Sequence, residues 1–286
     1  MDVPESERRM SNIASSEANL GAAASSATDE RSGLVAVARI VFLLAILALW
    51  QGAVAMGVAD PAFVSTPVRV VKSLWLLFSE GEIFPDLGTT ALEIALAFAL
   101  SIVFGIASAI VLDRLSWLNR VLSPFLTAFN SMPRIALGPL FVLWFGIGIG
   151  SKVVLAFSLG YFIMLLSTLG GLKNVDRDLL LMSRLFGAST LGLFRHVRLP
   201  WALPGIFAGL KLTLIYCSAG AVIGEMIAAK SGLGLLLQSF SGRFDVAGVM
   251  ALILVVALMV MAVTSLVDLA ERRLLTWSKG STDVPG

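Results

Sequence analysis

The feature that leaves this sequence least freedom is the recurrence of apolar runs about 20 residues long, the length of helix that crosses the hydrocarbon of a bilayer. They fall at about 34–55, 88–112, 121–147, 153–172, 204–226 and 246–268. In that solvent every backbone N–H and C=O must pair within its own segment, which a helix achieves. The expected fold class is therefore an all-α polytopic membrane protein with six transmembrane helices. Composition agrees: 57% of the 286 residues are hydrophobic and 14% charged, outside the habit of soluble domains. A single cysteine, Cys217, and a single histidine, His196, exclude an internal disulfide framework and an all-protein zinc site. Cys217 and the Met and Phe side chains read as packing, and His196 as a surface group.

The longest run that cannot sit in lipid is residues 172–211, with Lys173, Arg177, Arg184, Arg195 and Arg198. Positive charge between two spans marks a cytoplasmic loop. Asn174 or Asp176 can cap a first helix. Leu179, Leu180, Met182, Leu185 and Phe186 give it one apolar side, against Arg177 and Arg184. Gly187 suits its left-handed end, and Ser189 can cap a second helix reaching to about Arg198. Leu199, before Pro200, is pushed from helical geometry, and Pro200 and Pro204 suit the opening of the next span. The bland reading is a basic loop; the sharper one is an amphipathic knob shaped for another protein's groove.

The order Gly187-Ala188-Ser189, Leu193-Phe194-Arg195, then Leu199-Pro200-x-x-Leu203-Pro204-Gly205-Ile206 resembles the signature loop of permease subunits of binding-protein-dependent ABC importers. The family's Glu-Ala-Ala before the glycine is here Leu181-Met182-Ser183, so a polar contact of that glutamate has no counterpart. The string PRIALGPLFVLWFGIGIGSK, residues 133–152, resembles the nitrate/sulfonate/taurine branch, and Glu225 followed by Gly232-Leu233-Gly234 also resembles the family. The resemblance spans roughly residues 60–275. It implies a type I importer permease fold whose coupling helix meets a separate ATPase dimer, through Asp178, Leu181, Met182, Ser183, Arg184, Phe186, Gly187, Ala188, Ser189, Phe194, Pro200 and Pro204. It further implies a second permease copy, usually identical, and a periplasmic binding protein that delivers the solute: nitrate, a sulfonate such as taurine, bicarbonate or a similar small species. ATP and Mg would belong to the partner ATPase, and no cofactor to this chain.

Along the rest of the chain, residues 1–33 read as a disordered cytoplasmic tail. Ala53-Val54-Ala55 resembles a signal-peptide cleavage site, but the apolar run before it is longer than a signal core. Thr66-Pro67 opens a short helix whose Val68, Val71, Leu74, Trp75 and Phe78 form an apolar face for the outer membrane surface, with Gly81 and Pro85 ending it. Asn130-Ser131-Met132-Pro133-Arg134 interrupts the third run, and Gly146 to Lys152 reads as an outer turn. Leu235–Leu237 make the segment after Gly234 too apolar for a plain loop. Residues 273–286 read as a cytoplasmic tail.

This topology puts Arg8, Arg9, Arg31, Arg39, Arg114, Arg120, Lys173, Arg177, Arg184, Arg195, Arg198, Arg272, Arg273 and Lys279 inside. Arg69, Lys72, Lys152, Lys230 and Arg243 fall outside, and Arg134 and Lys211 within spans. The asymmetry supports six spans with both termini in the cytoplasm, and the resemblance implies that the membrane is a bacterial inner membrane.

Ionisable groups within spans are the other functional candidates. Glu93, about a turn and a half into its run, either anchors at the interface or lines a pathway. Glu225, near the outer end of its run, either anchors at the interface or, with Gly232 and Gly234, lines a pathway as an outer gate. Arg134, with Asn130, either satisfies carbonyls freed by Pro133 or lines a pathway. Lys211 reads as snorkelling to the inner interface. No phosphate-cradling G-x-x-x-x-G-K-[ST], paired carboxylates, nucleophile elbow or metal motif appears, and no nucleic-acid fold accompanies the basic loop. The expectation is a transport subunit without catalytic residues. An ion-coupled secondary carrier, the alternative, needs a buried coupling carboxylate and an internal repeat, and neither shows in the spacing.

Overall fold

The computed structural model describes residue 35 and residues 37–275. The two tail readings, most of the first residues of the first run, and Arg8, Arg9, Arg31 and Lys279 lie outside the described residues. Among those described, every regular element is helical.

The chain divides into two compact units, Met1–Val68 and Arg69–Gly286. In the first, α1 (Val37–Ala55) is long and apolar enough to cross a membrane, and Phe42, Leu43 and Leu49 on it are exposed. A one-turn helix, α2 (Pro61–Val64), follows, capped by Asp60 Oδ1 on the Ala62 N–H at 2.8 Å. α3 (Pro67–Ser79) starts at the expected proline.

The second unit holds α4 (Ile83–Arg114), α5 (Ser116–Ser131), α6 (Gly138–Phe145), α7 (Ile149–Lys173), α8 (Arg177–Leu185), α9 (Thr190–Leu193), α10 (Leu199–Ile227), α11 (Leu233–Gly242) and α12 (Val246–Leu274). α4, α7, α10 and α12 are each long and apolar enough to span, and α5 with the Arg134–Phe145 stretch passes the same test as a pair bent by 80°, the geometry of a broken span or a re-entrant loop. The bend falls at Met132-Pro133, where Pro133 supplies no N–H. The spans run past the apolar runs: α4 starts at Ile83, α7 at Ile149 and α12 ends at Leu274. Pro85, expected to end α3, lies instead in the first turn of α4, and Gly81, at φ 74°, makes the break.

α7 is the hub. It runs antiparallel to α10 on a stripe of small residues: a Cβ on Gly220 would stand 2.6 Å from Ala156 Cα, and one on Gly209 2.6 Å from Ser167 Cβ. Toward α4, a Cβ on Gly105 would stand 2.7 Å from Met164 Cβ. In lipid, where burial gives little drive between helices, such close approach supplies the attraction. Cys217 is buried on this seam, its Sγ 3.6 Å from Ala156 O. Leu74 and Leu77 of α3 pack with Ile83, Leu233 and Leu252. Val68, Val71 and Trp75 stay exposed, as a lipid-facing side requires.

Candidate functional site

Two polar constructions sit at opposite ends of the α4–α7–α10 core. At the first, α8 opens on Asp176, whose Oδ1 accepts the Asp178 N–H at 2.9 Å. Ser183 Oγ bonds back to Leu179 O at 2.8 Å. Gly187, at φ 82°, turns the chain, a conformation that costs an L side chain on the order of 1 kcal/mol or more. Ala188 follows, and Ser189 Oγ accepts the Gly192 N–H at 3.1 Å, opening α9. His196 is exposed, its Nδ1 3.1 Å from Gly192 O.

The apolar side of α8 splits in two. Leu179 and Leu180 are half-buried against the chain's own helices. Leu181, Met182, Leu185 and Phe186 are uncovered, Leu185 at 86% and Phe186 at 87% exposure. Leu191 on α9 is exposed beside them. Leu185 and Leu191 share the exposure of Leu181, Met182 and Phe186. Phe194 is partly buried and packs against the Met164, Leu172, Ala202 and Ile206 cluster with the Arg114 guanidinium 4.8 Å over its ring.

The expected proline break is absent. Residues Phe194–Arg198 form a π-helical turn, and Leu199 stays helical at φ −68°, ψ −48°. Its N–H bonds Phe194 O, five residues back. The wider turn takes up the strain that Pro200 places on a helical Leu199. Pro200 lies in the first turn of α10 and Pro204 inside it, so α9 to α10 runs as one rod from Thr190 to Ile227. That rod is stapled to its neighbours. Arg198 forks onto Asp113 at 2.6 and 2.7 Å and reaches Leu172 O at 3.1 Å, so the ends of α4 and α7 are tied to the base of the knuckle.

At the other end Glu225, 0% exposed, is the centre. Its Oε1 accepts the Thr90 hydroxyl at 2.6 Å and its Oε2 the Gly234 N–H at 2.6 Å. Thr90 Oγ1 in turn accepts the Leu233 N–H at 2.8 Å, and Asp86 Oδ1 the Gly232 N–H at 2.6 Å. Three acceptors thus serve the orphan amides that open α11. Gly232, at φ 122°, lies against the Glu225 carboxylate, and a Cβ on Gly234 would stand 2.7 Å from Glu225 Cβ. The glycines are needed where the backbone meets the acid. The expectation of more than a loop here is met by α11, which packs on α12 and α4 through Leu233, Leu252 and Ile83.

Glu93, 2% exposed, is one turn beyond Thr90, and its carboxyl lies beside that of Glu225. It is about three turns into α4 rather than one and a half, because the helix starts earlier than the apolar run. Lys152 is 1% exposed, not an outer-surface charge. Its Nζ donates to Ile147 O and, at 3.1 Å, Gly148 O, and it neighbours both acids. The buried carboxylate that the spacing did not reveal is therefore present twice, with a lysine as company.

Arg134 and Asn130 meet across the bend. Arg134 Nη2 donates to Asn130 Oδ1 at 2.9 Å, and Nη1 to Ser158 O on α7 at 2.5 Å, with the guanidinium 4.7 Å over Phe162. The arginine thus braces the broken span against the hub. Lys211 reaches the C-terminal part of α12, where it pairs with Asp268 at 2.5 Å and Glu271 at 2.6 Å. Among the described residues no group of three His, Cys, Asp or Glu side chains could hold a metal ion.

A bundle of spans about a glycine-lined hub, with a glycine-turned knuckle at one end and a clasped half-length helix at the other, is the architecture of a multi-pass membrane transport component. The chain belongs to the family described as binding-protein-dependent transport system inner membrane component, whose model matches residues 101–276. It is 32% identical over 238 residues to a riboflavin transport system permease protein, RibX, of Chloroflexus aurantiacus, covering 83% of this chain and 88% of that one. It is 30% identical over 252 residues to a putative aliphatic sulfonates transport permease protein, SsuC, of Escherichia coli, covering 88% and 96%. A solved inward-facing MetNI methionine ABC transporter shares the fold at TM-score 0.58 and 19% identity, over 76% of this chain and 99% of that one. Nitrate/sulfonate/taurine-type permeases are consistent with these relatives.

Proposed function

We propose that this chain is the pathway-forming subunit of an ATP-driven importer. Two copies enclose one route, and an ATPase dimer, which carries the ATP and Mg, grips the knuckle of each. Closure of that dimer rocks the spans between inward and outward access. A periplasmic binding protein delivers the solute, and both termini face the cytoplasm. The solute is a small one, with a sulfonate such as taurine favoured by the likeness to SsuC; nitrate and bicarbonate belong to the same reading.

The observation that carries this is the uncovered apolar tip of Leu185 and Phe186 on a knuckle tied to the spans by Arg198 and Asp113. An exposed apolar cluster on a braced turn is what a protein partner buries. Clasped Glu225 and its neighbours then steady the outer end, a place for a gate.

The test is co-expression of tagged chain with the nucleotide-binding subunit. Wild type retains that subunit on the affinity column; Leu185→Asp with Phe186→Asp inserts in the membrane and loses it. Retention by the double variant would overturn the reading. Thermal shift of the cognate binding protein with taurine, alkanesulfonates, nitrate, bicarbonate and riboflavin identifies the cargo.

An ion-coupled carrier has one observation in its favour, the buried Glu93 and Glu225. Both Glu225 oxygens are engaged by Thr90 and Gly234, which suits a clasp better than a shuttle. Nucleotide-free transport that follows a proton or sodium gradient would decide for the carrier.

A further inference from the structure

The knuckle, through Leu180 and Arg184 of α8 and Thr190 and Leu191 of α9, encloses a cleft of about 670 Å³ with the ends of α4 and α7 and the start of α5. Four cations line it, Arg114, Lys173, Arg184 and Arg198, against one acid, Asp113. Both Asp113 oxygens are taken by Arg198. Arg114 places its guanidinium carbon 4.8 Å over the Phe194 ring. Lys173 and Arg184 make no ion pair among the described residues, and Arg198 Nε is buried without an acceptor. Three net positive charges thus face one concavity, with Asn119 and Thr190 as neutral donors. An anion relieves that repulsion, and forked guanidiniums with a point-charge ammonium match a phosphate.

The source of that phosphate is argued from position. Arg114 and Lys173 are at the ends of apolar spans, where a bilayer's headgroups lie. Trp117 and Trp201 are exposed next to these ends, the side chain most at home in that layer. Leu191 gives the cleft an apolar rim on which an acyl chain can lie. We propose that this cleft binds the phosphate of an anionic phospholipid from the adjoining leaflet, at a site that shares Arg184 with the knuckle the transport reading gives to the ATPase.

Native mass spectrometry of the purified full chain, with and without its ATPase subunit, tests this with phosphatidylglycerol titrated against phosphatidylcholine. Wild type retains phosphatidylglycerol selectively. Lys173→Gln with Arg184→Gln, at two exposed and unpaired positions, elutes monodisperse and binds it about thirtyfold more weakly, the expectation for two lost phosphate contacts. Lys230→Gln with Arg243→Gln, at the far end, binds as wild type does. Equal retention of the two lipids, or wild-type affinity in the first double variant, overturns the proposal. Displacement of the lipid by millimolar inorganic phosphate assigns the cleft to a free anion and overturns the lipid source. Expulsion of the lipid on adding the ATPase subunit assigns it to an acidic segment of that partner, and overturns the proposal too.

Discussion

Arg198 holds Asp113 in a fork, with Nη1 to Oδ2 at 2.6 Å and Nη2 to Oδ1 at 2.7 Å, across 85 residues of chain. Asp113 closes α4 and Arg198 is the last residue of the π-helical turn, so a push on the knuckle reaches two spans at once. Removing one partner of such a pair leaves the other charge poorly solvated. Asp113→Asn and Arg198→Ala should each cost on the order of 2 kcal/mol, discounted because Arg198 is partly solvated. Thermal unfolding in detergent reads the loss. ATPase activity uncoupled from uptake in Asp113→Asn would show that the pair transmits force; full coupling in that variant would refute it.

The seam between α7 and α10 has no room at Gly220. Gly220→Leu must displace Ala156 and should lower stability by about 3 kcal/mol or prevent folding. Gly170→Ala, where nothing lies within 4 Å of the added carbon, should stay within about 0.5 kcal/mol of wild type. Comparable damage from both would mean that the seam is not set by steric fit. Melting curves of the two variants make the comparison.

Glu225 supplies acceptors to one hydroxyl and one amide that are otherwise buried. Glu225→Ala leaves both unpaired, at about 1–3 kcal/mol each. Amide hydrogen exchange should then quicken across Leu233–Leu237 while α7 keeps its protection. Thr90→Val should quicken exchange at the Leu233 amide in the same direction, more weakly. Unchanged protection of α11 in Glu225→Ala would remove the clasp from the account.

Gly187 faces open space, with nothing within 4 Å of an added Cβ, and its φ is 82°. Gly187→Val therefore strains the backbone without a clash, by about 1–2 kcal/mol. Insertion should survive while ATPase binding falls severalfold, because the tip at Phe186 is re-aimed. Titration of the ATPase subunit onto immobilised variant measures this. Unaltered affinity would show that the turn's geometry does not matter to the partner.

The local punctuation was legible in the one-dimensional pattern. Asp176, Gly187 and Ser189 act on amides or dihedrals within three residues, so their effect needs no knowledge of the fold. The same holds for the apolar runs, whose length alone suits a bilayer, and for the bend at Pro133. Less visible were the seam glycines, although Gly205 with Gly209 and Gly220 with Gly224 carry the small-x-x-x-small spacing that marks close helix packing. Leu199 was misjudged because the bias before proline is only a bias, and one π turn relieves it.

What the order of residues determined unaided was the solvent each segment requires and the places where helices start and stop, since those depend on neighbours along the chain. Tertiary packing alone decided that Glu225 meets Thr90 across 135 residues, that Lys152 is buried beside two acids, and that Arg134 braces α7. The reason is physical. Which face of a long apolar helix turns inward is set by where small residues let a neighbour approach, and a polar group on that face acquires its partner only when two such faces close.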